Sequence, residues 1–297
     1  AANQRVFVEK PDADLLGVRY AKGREVSERI HRWNAISRVA LLRFRGQGSP
    51  SSHRLIHDDG ISNVIVRRHR PARLVDPPEL AGAHGIPFVL DRPPTRALVM
   101  FAGCGQDMMR LLEFSGGELD VVGVEINPLV KRLVTLGDDP WNLGAFFAHP
   151  KVDLRIAEGR GYLEGDDSSY DLIFIASNGA QHAVRTGHVR KFLDTVQAMD
   201  AYLERLAPGG VIVFHEQPRL HKDEMFKRLL ARRGGVAYED AVMVLGRGRY
   251  RADFPIMTTV VKPDGFSADE AIRIGDLWEA EERNGVFYGP DSEPGPA

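Results

Sequence analysis

The feature that most constrains the fold of this chain is a change of pattern near residue 97. From there onward, short apolar runs alternate with amphipathic segments of helical period. This alternation is typical of a doubly wound parallel sheet with helices on both faces. The predicted strands cover residues 97–102, 121–125, 152–156, 170–176, 211–215, 241–245 and 256–261, and the predicted helices lie near residues 107–114, 128–136, 191–206 and 222–232. We therefore predict an α/β domain with a seven-stranded, mostly parallel sheet over residues 95–288.

The preceding part of the chain, residues 1–94, consists of short β-type runs separated by turn residues. These runs cover residues 5–9, 37–44, 55–57 and 61–67. The last two are separated by Asp59-Gly60, a hairpin signal because glycine tolerates the positive φ of tight turns. Pro93 and Pro94 close the segment, since proline fixes φ and lacks an N–H donor. We predict a small β-rich N-terminal unit over residues 1–94, and a disordered tail over residues 289–297 because that stretch is rich in glycine, proline and acids.

Charge and cysteine content restrict the partners and the compartment. The 297 residues include 39 basic and 41 acidic side chains, for a formal net charge of -2. This balance gives no field that would attract nucleic acid. No apolar run approaches the roughly 20 residues that span a bilayer, and the single cysteine, Cys104, leaves no internal disulfide. We expect a cytoplasmic protein that acts on a small-molecule substrate without contacting nucleic acid or membrane, with a homodimer left open.

Three candidate binding elements follow successive predicted strands. Gly103 and Gly105 form a strand-to-helix turn, where a ligand can approach the backbone and the helix N-terminus offers N–H donors. Glu125 ends the next strand about 20 residues later, where a carboxylate can accept both hydroxyls of a ribose. Glu158 and Gly159 follow the third strand, and a carboxylate there can receive an adenine amino group. The sequence therefore predicts a nucleoside pocket. The residues next to these elements that are also predicted to bind the nucleoside are Ala102, Asp107, Ile126 and Ala176.

The glycine spacing also indicates which nucleoside the pocket holds. The dinucleotide fingerprint needs a third glycine, but Met108 occupies that position. This argues against a pyrophosphate lying on the helix. Asp107 is predicted either to cap its helix or to face the amino group of a methionine-derived tail. We expect no metal, because no histidine or cysteine pair stands at ligand spacing.

Together these motifs resemble the spermidine synthase-like branch of the class I S-adenosylmethionine-dependent methyltransferase fold, and within it a subfamily often fused to membrane-spanning segments. The matching stretches are residues 33–39, 59–60, 103–107, 124–128, 158–163, 170–173 and 206–210. The resemblance implies a Rossmann-like domain that uses S-adenosylmethionine or its decarboxylated form. It also implies that Glu125 holds the ribose and that Glu158 approaches the adenine.

The chain departs from this family after the fourth predicted strand. Aminopropyltransferases have acids there that steer the substrate amine and take its proton, whereas this chain has Ala176, Ser177 and Asn178. A placed general base is typically worth 10²–10⁴-fold in rate. The candidate catalytic residues are Ser177, Asn178, His182 and Glu216. We slightly favour methyl transfer to an unknown small acceptor, with aminopropyl transfer and a non-catalytic nucleoside-binding module as alternatives.

Overall fold

The computed structural model describes residues 24–36, 38–46, 49–57, 62–65, 82–135, 146–175, 193, 195–216, 220–233, 235–247, 257–279 and 284–288. These residues form a four-stranded sheet and an eight-stranded sheet. Within these ranges, no helix has the length and apolar character that a bilayer span requires.

The smaller sheet is an antiparallel meander in the N-terminal part of the chain. Its strands, in both chain and spatial order, are β1 (Arg24–Trp33), β2 (Arg38–Gly46), β3 (Ser49–His57) and β4 (Ser62–Ile65). The predicted hairpin is confirmed, because β3 and β4 pair antiparallel with Ile56 opposite Ser62. Strand β1 is absent from the sequence-based prediction because it is mostly polar and charged, without a clear apolar alternation. The predicted strand over residues 5–9 and the turn at Asp59-Gly60 lie outside the described residues.

The larger sheet carries helices between its strands. In chain order the elements are α1 (Gly82–Gly85) with a 3₁₀ turn (Ile86–Phe88), β5 (Arg96–Met100), α2 (Gln106–Phe114), β6 (Asp120–Glu125), α3 (Pro128–Val134), β7 (Val152–Ile156), α4 (Gly159–Gly165), β8 (Tyr170–Ile175), α5 (Val196–Arg205), β9 (Leu206–Glu216), α6 (Leu220–Arg233), α7 (Tyr238–Ala241), β10 (Val242–Arg247), β11 (Met257–Val261), α8 (Ala268–Glu279) and β12 (Asn284–Tyr288).

The strand order of this sheet is β12-β10-β11-β9-β8-β5-β6-β7. Strands β7, β6, β5, β8 and β9 are parallel, whereas β11 is antiparallel to both of its neighbours. The predicted α/β fold with a mostly parallel sheet is confirmed, and β12 adds an eighth strand beyond the seven predicted. The chain runs outward from β5 in both directions, so the crevice beside the carboxyl end of β5 is the expected binding position.

Hydrophobic packing covers both faces of the larger sheet. Successive residues of β5 alternate between the faces. Val99 belongs to the hydrophobic cluster that includes residues of α2, α3 and α8, whereas Leu98 belongs to the cluster that includes residues of α4, α5 and α6. Strands buried on both faces appear in sequence as continuous apolar runs, and this is why they were predictable.

Helix α8 is absent from the sequence-based prediction although its start carries a recognisable signal. The Ser267 hydroxyl accepts the Glu270 N–H at 3.1 Å, and the Glu270 carboxylate accepts the Ser267 N–H at 3.0 Å. This reciprocal pair is a capping box, which marks a helix start in sequence.

Candidate functional site

The turn that joins β5 to α2 has an unusual backbone. Its residues Phe101, Gly103 and Gly105 have φ values of 57°, 52° and 83°. Among the described residues, Phe101 is the one non-glycine residue with a positive φ. Such conformations cost free energy and cluster at functional sites. The strain therefore points to this turn as a candidate site, at the position that the fold favours.

Packing accounts for two of the glycines that the sequence assigns to the pocket. A Cβ on Gly105 would lie 2.7 Å from Phe147 Cζ and 3.1 Å from Phe146 Cε1. A Cβ on Gly159 would lie 2.9 Å from both methyl groups of Leu193. Neighbouring side chains therefore favour glycine at both positions, whether or not a ligand binds, and at Gly105 the positive φ favours it as well.

Glu125 lies at the carboxyl end of β6 and its side chain is bonded to the strained turn. The residue is 7% exposed. Its Oε2 accepts the Gly103 N–H at 3.1 Å, and its Oε1 accepts the Asn127 N–H at 2.8 Å. Burial raises the pKa of the Glu125 carboxyl, and these backbone donors together with the N–H of Ile126 oppose that rise. The structure therefore brings three predicted pocket residues, Gly103, Glu125 and Ile126, together around one buried carboxylate.

Asn127 connects the pocket to the N-terminal sheet. It is the N-cap of α3, and its Oδ1 accepts the Leu129 N–H at 3.0 Å and the Asn34 side-chain amide at 2.8 Å. The neighbours of Asn34 include Trp33, which is 64% exposed, and Ile36, which is also exposed. The β1–β2 connection therefore holds two apolar side chains in solvent beside the carboxyl end of β6.

Asp107 forms a buried pair with a residue that sequence reasoning missed. Its Oδ1 accepts a hydrogen bond from His84 Nε2 at 2.7 Å, and the two side chains are 23% and 4% exposed. Helix α2 has Gly105 as its N-cap, with no side-chain capping bond. The alternative that Asp107 caps its helix is therefore wrong. His84 carries no local motif, and its partner is 23 residues away, so no sequence signal could have found it.

An aromatic and imidazole cluster surrounds this pair. The His84 ring stacks on Phe174 of β8 at 4.9 Å between centroids, and His215 of β9 meets it edge-on at 6.0 Å. His215 Nδ1 lies 2.9 Å from Thr258 Oγ1. Burial acts to raise the pKa of the Asp107 carboxyl, but the hydrogen bond and the attraction from His84 outweigh it, so the pKa lies below its ordinary value.

Glu158 and Ala102, two further residues of the predicted pocket, follow the carboxyl ends of β7 and β5. Glu158 follows β7 and is the N-cap of α4, where its carboxylate accepts the N–H groups of Arg160 at 3.2 Å and Gly161 at 2.8 Å. Its role toward adenine stays a prediction. Ala102 is buried in the turn, and its N–H donates to the Val124 carbonyl at 3.0 Å.

The predicted catalytic residues fall largely outside the described part of the chain. Ser177, Asn178 and His182 lie outside it, and so does Ala176, which the sequence assigns to the nucleoside pocket. Glu216 ends β9, where its backbone pairs with Met257. In the described ranges, no group of three or more histidine, cysteine, aspartate or glutamate side chains could hold a metal ion.

A search against protein-family models finds no match to this chain. Among curated proteins, polyamine aminopropyltransferase 2 of Pseudomonas aeruginosa is 34% identical over 97 residues, which cover 31% of this chain and 25% of that protein. The likeness thus spans a quarter of the relative's length.

Solved structures match a much larger part of the chain. A spermidine synthase in complex with the transition-state analogue AdoDATO and the spermidine synthase from Thermotoga maritima each give a TM-score of 0.52 at 16% identity, covering 81% of this chain and 73% of theirs. A probable spermidine synthase from Corynebacterium glutamicum gives 0.51 at 16% identity, covering 86% of this chain and 89% of its own. The chain therefore has a spermidine synthase-like fold. These comparisons do not support the narrower resemblance to a subfamily fused to membrane-spanning segments.

Proposed function

We propose that this protein transfers an aminopropyl group from decarboxylated S-adenosylmethionine to an amine acceptor. The observation that carries the proposal is the buried Glu125 carboxylate bonded to the strained turn after β5, at the switch point of a spermidine synthase-like fold. The curated relative is named an aminopropyltransferase. No comparison specifically favours methyl transfer, so the order of the two alternatives from the sequence is reversed.

The residues around the turn fit a nucleoside donor. Glu125 presents a buried carboxylate whose oxygens already point at the backbone of Gly103 and Asn127, and a carboxylate oxygen can accept a further bond from a ribose hydroxyl. A buried group whose pKa is shifted by desolvation is a functional-site candidate. A buried carboxylate lowers the free energy of unfolding of the protein, and such destabilising groups are typical of functional sites.

The rate of this reaction depends mainly on how the donor and the acceptor are positioned. The nitrogen lone pair of the acceptor attacks the aminopropyl carbon beside the sulfonium, so an N–C bond forms as the C–S bond breaks. The bonding pair stays on sulfur, methylthioadenosine leaves, and the new ammonium loses a proton. Because the carbon is already activated, holding donor and acceptor in line is the largest contribution that a protein can make.

The acceptor is expected to differ from putrescine. Ala176, Ser177 and Asn178 offer no carboxylate where aminopropyltransferases place the acids that steer the amine. The ammonium of putrescine would lose both its counter-charge and its proton acceptor. We therefore expect spermidine to form slowly or not at all.

The proposal is tested by incubating the protein with decarboxylated S-adenosylmethionine and a panel of primary amines, with release of methylthioadenosine as the readout. Release with at least one amine is the expected result. Formation of S-adenosylhomocysteine from S-adenosylmethionine, without methylthioadenosine release, would instead establish methyl transfer. Nucleoside binding without either product would indicate a non-catalytic module. Turnover with putrescine near 1 s⁻¹ or above, at the lower end of ordinary enzyme rates, would show that the missing acids are replaced.

A further inference from the structure

We propose that His215 of β9 accepts the proton of the acceptor amine, in place of the acids that this chain lacks after β8. The inference rests on the proposed function, because it needs an amine that reacts at this edge of the sheet. The substrate class is a primary amine that attacks as its free base. A neutral imidazole can accept a hydrogen bond and then a proton from such an amine.

The register of the larger sheet places His215 beside the end of β8. Ile175, the last residue of β8, pairs with Phe214 of β9, and His215 is the next residue of β9. In the sequence Ile175 is followed by Ala176, where the stretch without acids begins. The imidazole therefore comes from the strand that adjoins the end of β8, after which aminopropyltransferases carry their acids.

Contacts with neighbouring strands orient the His215 ring. Its Nδ1 lies 2.9 Å from Oγ1 of Thr258, a fully buried residue of β11 that pairs with His215 across the two strands. The ring centroid lies 6.4 Å from that of Phe174 and 6.0 Å from that of His84. His215 itself is only partly buried, so a small amine can reach it. An oriented ring that the substrate can reach is what a general base requires.

A negative charge nearby suits a ring that becomes a cation. The Asp107 carboxylate and a cationic His215 attract each other, and this attraction is one of the causes that keep the pKa of Asp107 below its ordinary value. His84 and Arg110 also attract this carboxylate, and the bond from His84 Nε2 holds it in place. Because the attraction is mutual, Asp107 stabilises the imidazolium that proton transfer produces.

One proton moves to His215 during the reaction. The free amine binds with one N–H donating to the imidazole nitrogen that carries the lone pair. The lone pair of the amine forms the N–C bond, and the C–S bonding pair stays on methylthioadenosine. The new ammonium then gives one proton to the imidazole, and the imidazolium releases it to water. Because the imidazole is neutral before the reaction, it offers no counter-charge to the second ammonium of putrescine.

The first test measures methylthioadenosine release from decarboxylated S-adenosylmethionine, with butylamine, benzylamine and putrescine as acceptors. His215→Gln retains an amide that can bond to Thr258 but cannot take up the proton. It should lower kcat about 10²-fold or more with each amine that the wild type uses, and leave the calorimetric affinity for methylthioadenosine unchanged. His215→Ala should show the same loss, and free imidazole should restore part of its rate. The matched control is His149→Gln, a histidine before the amino end of β7, which should change neither quantity.

The outcomes separate this inference from the proposed function. An unchanged kcat in His215→Gln, or a raised KM for the amine with kcat retained, would overturn the inference and leave the proposed function standing. Equal losses of kcat and of methylthioadenosine affinity, with lowered thermal stability and no rescue by imidazole, would assign His215 a structural role and overturn it too. Failure of the wild-type protein to release methylthioadenosine with any of the three amines would overturn both proposals.

The second test detects the contact between the amine and the ring without turnover. In protein that carries isotope-labelled histidine, the ring signals of His215 are identified by their absence from the nuclear magnetic resonance spectrum of His215→Gln. Adding butylamine to wild-type protein saturated with methylthioadenosine should shift these signals, because an amine N–H then bonds to the ring. Signals of His215 that stay in place at saturating butylamine would overturn the inference.

Discussion

Replacing Gly105 by alanine tests how the turn after β5 is packed. The φ of Gly105 is 83°, a left-handed value that costs an L-residue about 1–2 kcal/mol. The added Cβ would also lie 2.7 Å from Phe147 Cζ and 3.1 Å from Phe146 Cε1. Overpacking of this kind costs typically about 1–3 kcal/mol. We therefore expect Gly105→Ala to lower the free energy of unfolding by about 2–5 kcal/mol.

Gly116→Ala is a matched control, because it isolates the backbone cost from the cost of the ring contacts. The φ of Gly116 is 67°, and no atom of the described residues lies within 4 Å of the Cβ it would carry. Its replacement should cost about 1–2 kcal/mol. Both variants also restrict the unfolded chain equally, so that effect cancels in the comparison. The excess loss in Gly105→Ala is the energy of the clash with Phe146 and Phe147.

Urea denaturation followed by circular dichroism measures both free energies, provided that the m-value is unchanged. Adding Phe147→Ala to Gly105→Ala should recover part of the excess loss, because it removes the 2.7 Å contact. Equal destabilisation by Gly105→Ala and Gly116→Ala would refute the argument. It would mean that the two phenylalanine rings do not cover the turn.

Three further predictions follow from buried or bonded side chains. Glu125→Gln should weaken nucleoside binding more than tenfold, because an amide offers one acceptor oxygen where the carboxylate offers two. Titration calorimetry with methylthioadenosine measures the affinity, and an unchanged affinity would contradict the prediction. Burial raises the pKa of the Asp171 carboxyl, but hydrogen bonds from Thr95 and from the Arg96 N–H outweigh it and the folded pKa lies below the unfolded one. Asp171 therefore contributes stability above its unfolded pKa that is lost as the pH falls through its folded pKa. Asp171→Asn should cost about 1–2 kcal/mol at pH 7 and flatten the acid side of the stability profile, whereas an unaltered profile would count against it. Burial raises the pKa of the Cys104 thiol to about 12, so an aromatic disulfide reagent should label the native protein far more slowly than the urea-unfolded protein, and equally fast native labelling would disprove that burial.

Much of the larger sheet could be predicted because its central strands are buried on both faces. Strands β5, β8 and β9 appear as apolar runs bounded by turn residues, and that pattern is local. The pocket elements could be predicted for the same reason, because each of them directly follows one of these strands in the sequence. Once the strands are parallel neighbours, their carboxyl ends share one edge, so Gly103 and Glu125 must approach each other there.

Local patterns were insufficient where strands or helices depend on pairing with distant segments. Strand β1 is polar along most of its length and is held by its register with β2, from Arg24 opposite Gly46 to Trp33 opposite Arg38. Strand β12 is short and pairs with β10 at the far edge of the sheet. A hydrogen-bonded edge strand needs no apolar run of its own, so the periodicity of its sequence carries little signal.

Apolar periodicity and turn chemistry act over a few residues, so the amino-acid sequence alone predicts a mostly parallel sheet and a carboxylate at the end of the strand that follows the glycine turn. The contacts of the acidic side chains, in contrast, depend on how the elements pack in three dimensions. Glu158 caps its own helix, and Asp107 pairs with His84 instead of capping α2. The second contact exists because α1 packs against α2 and brings an imidazole over Phe174 of β8. Such a contact depends on how three elements pack together, and no local pattern in any one of them encodes it.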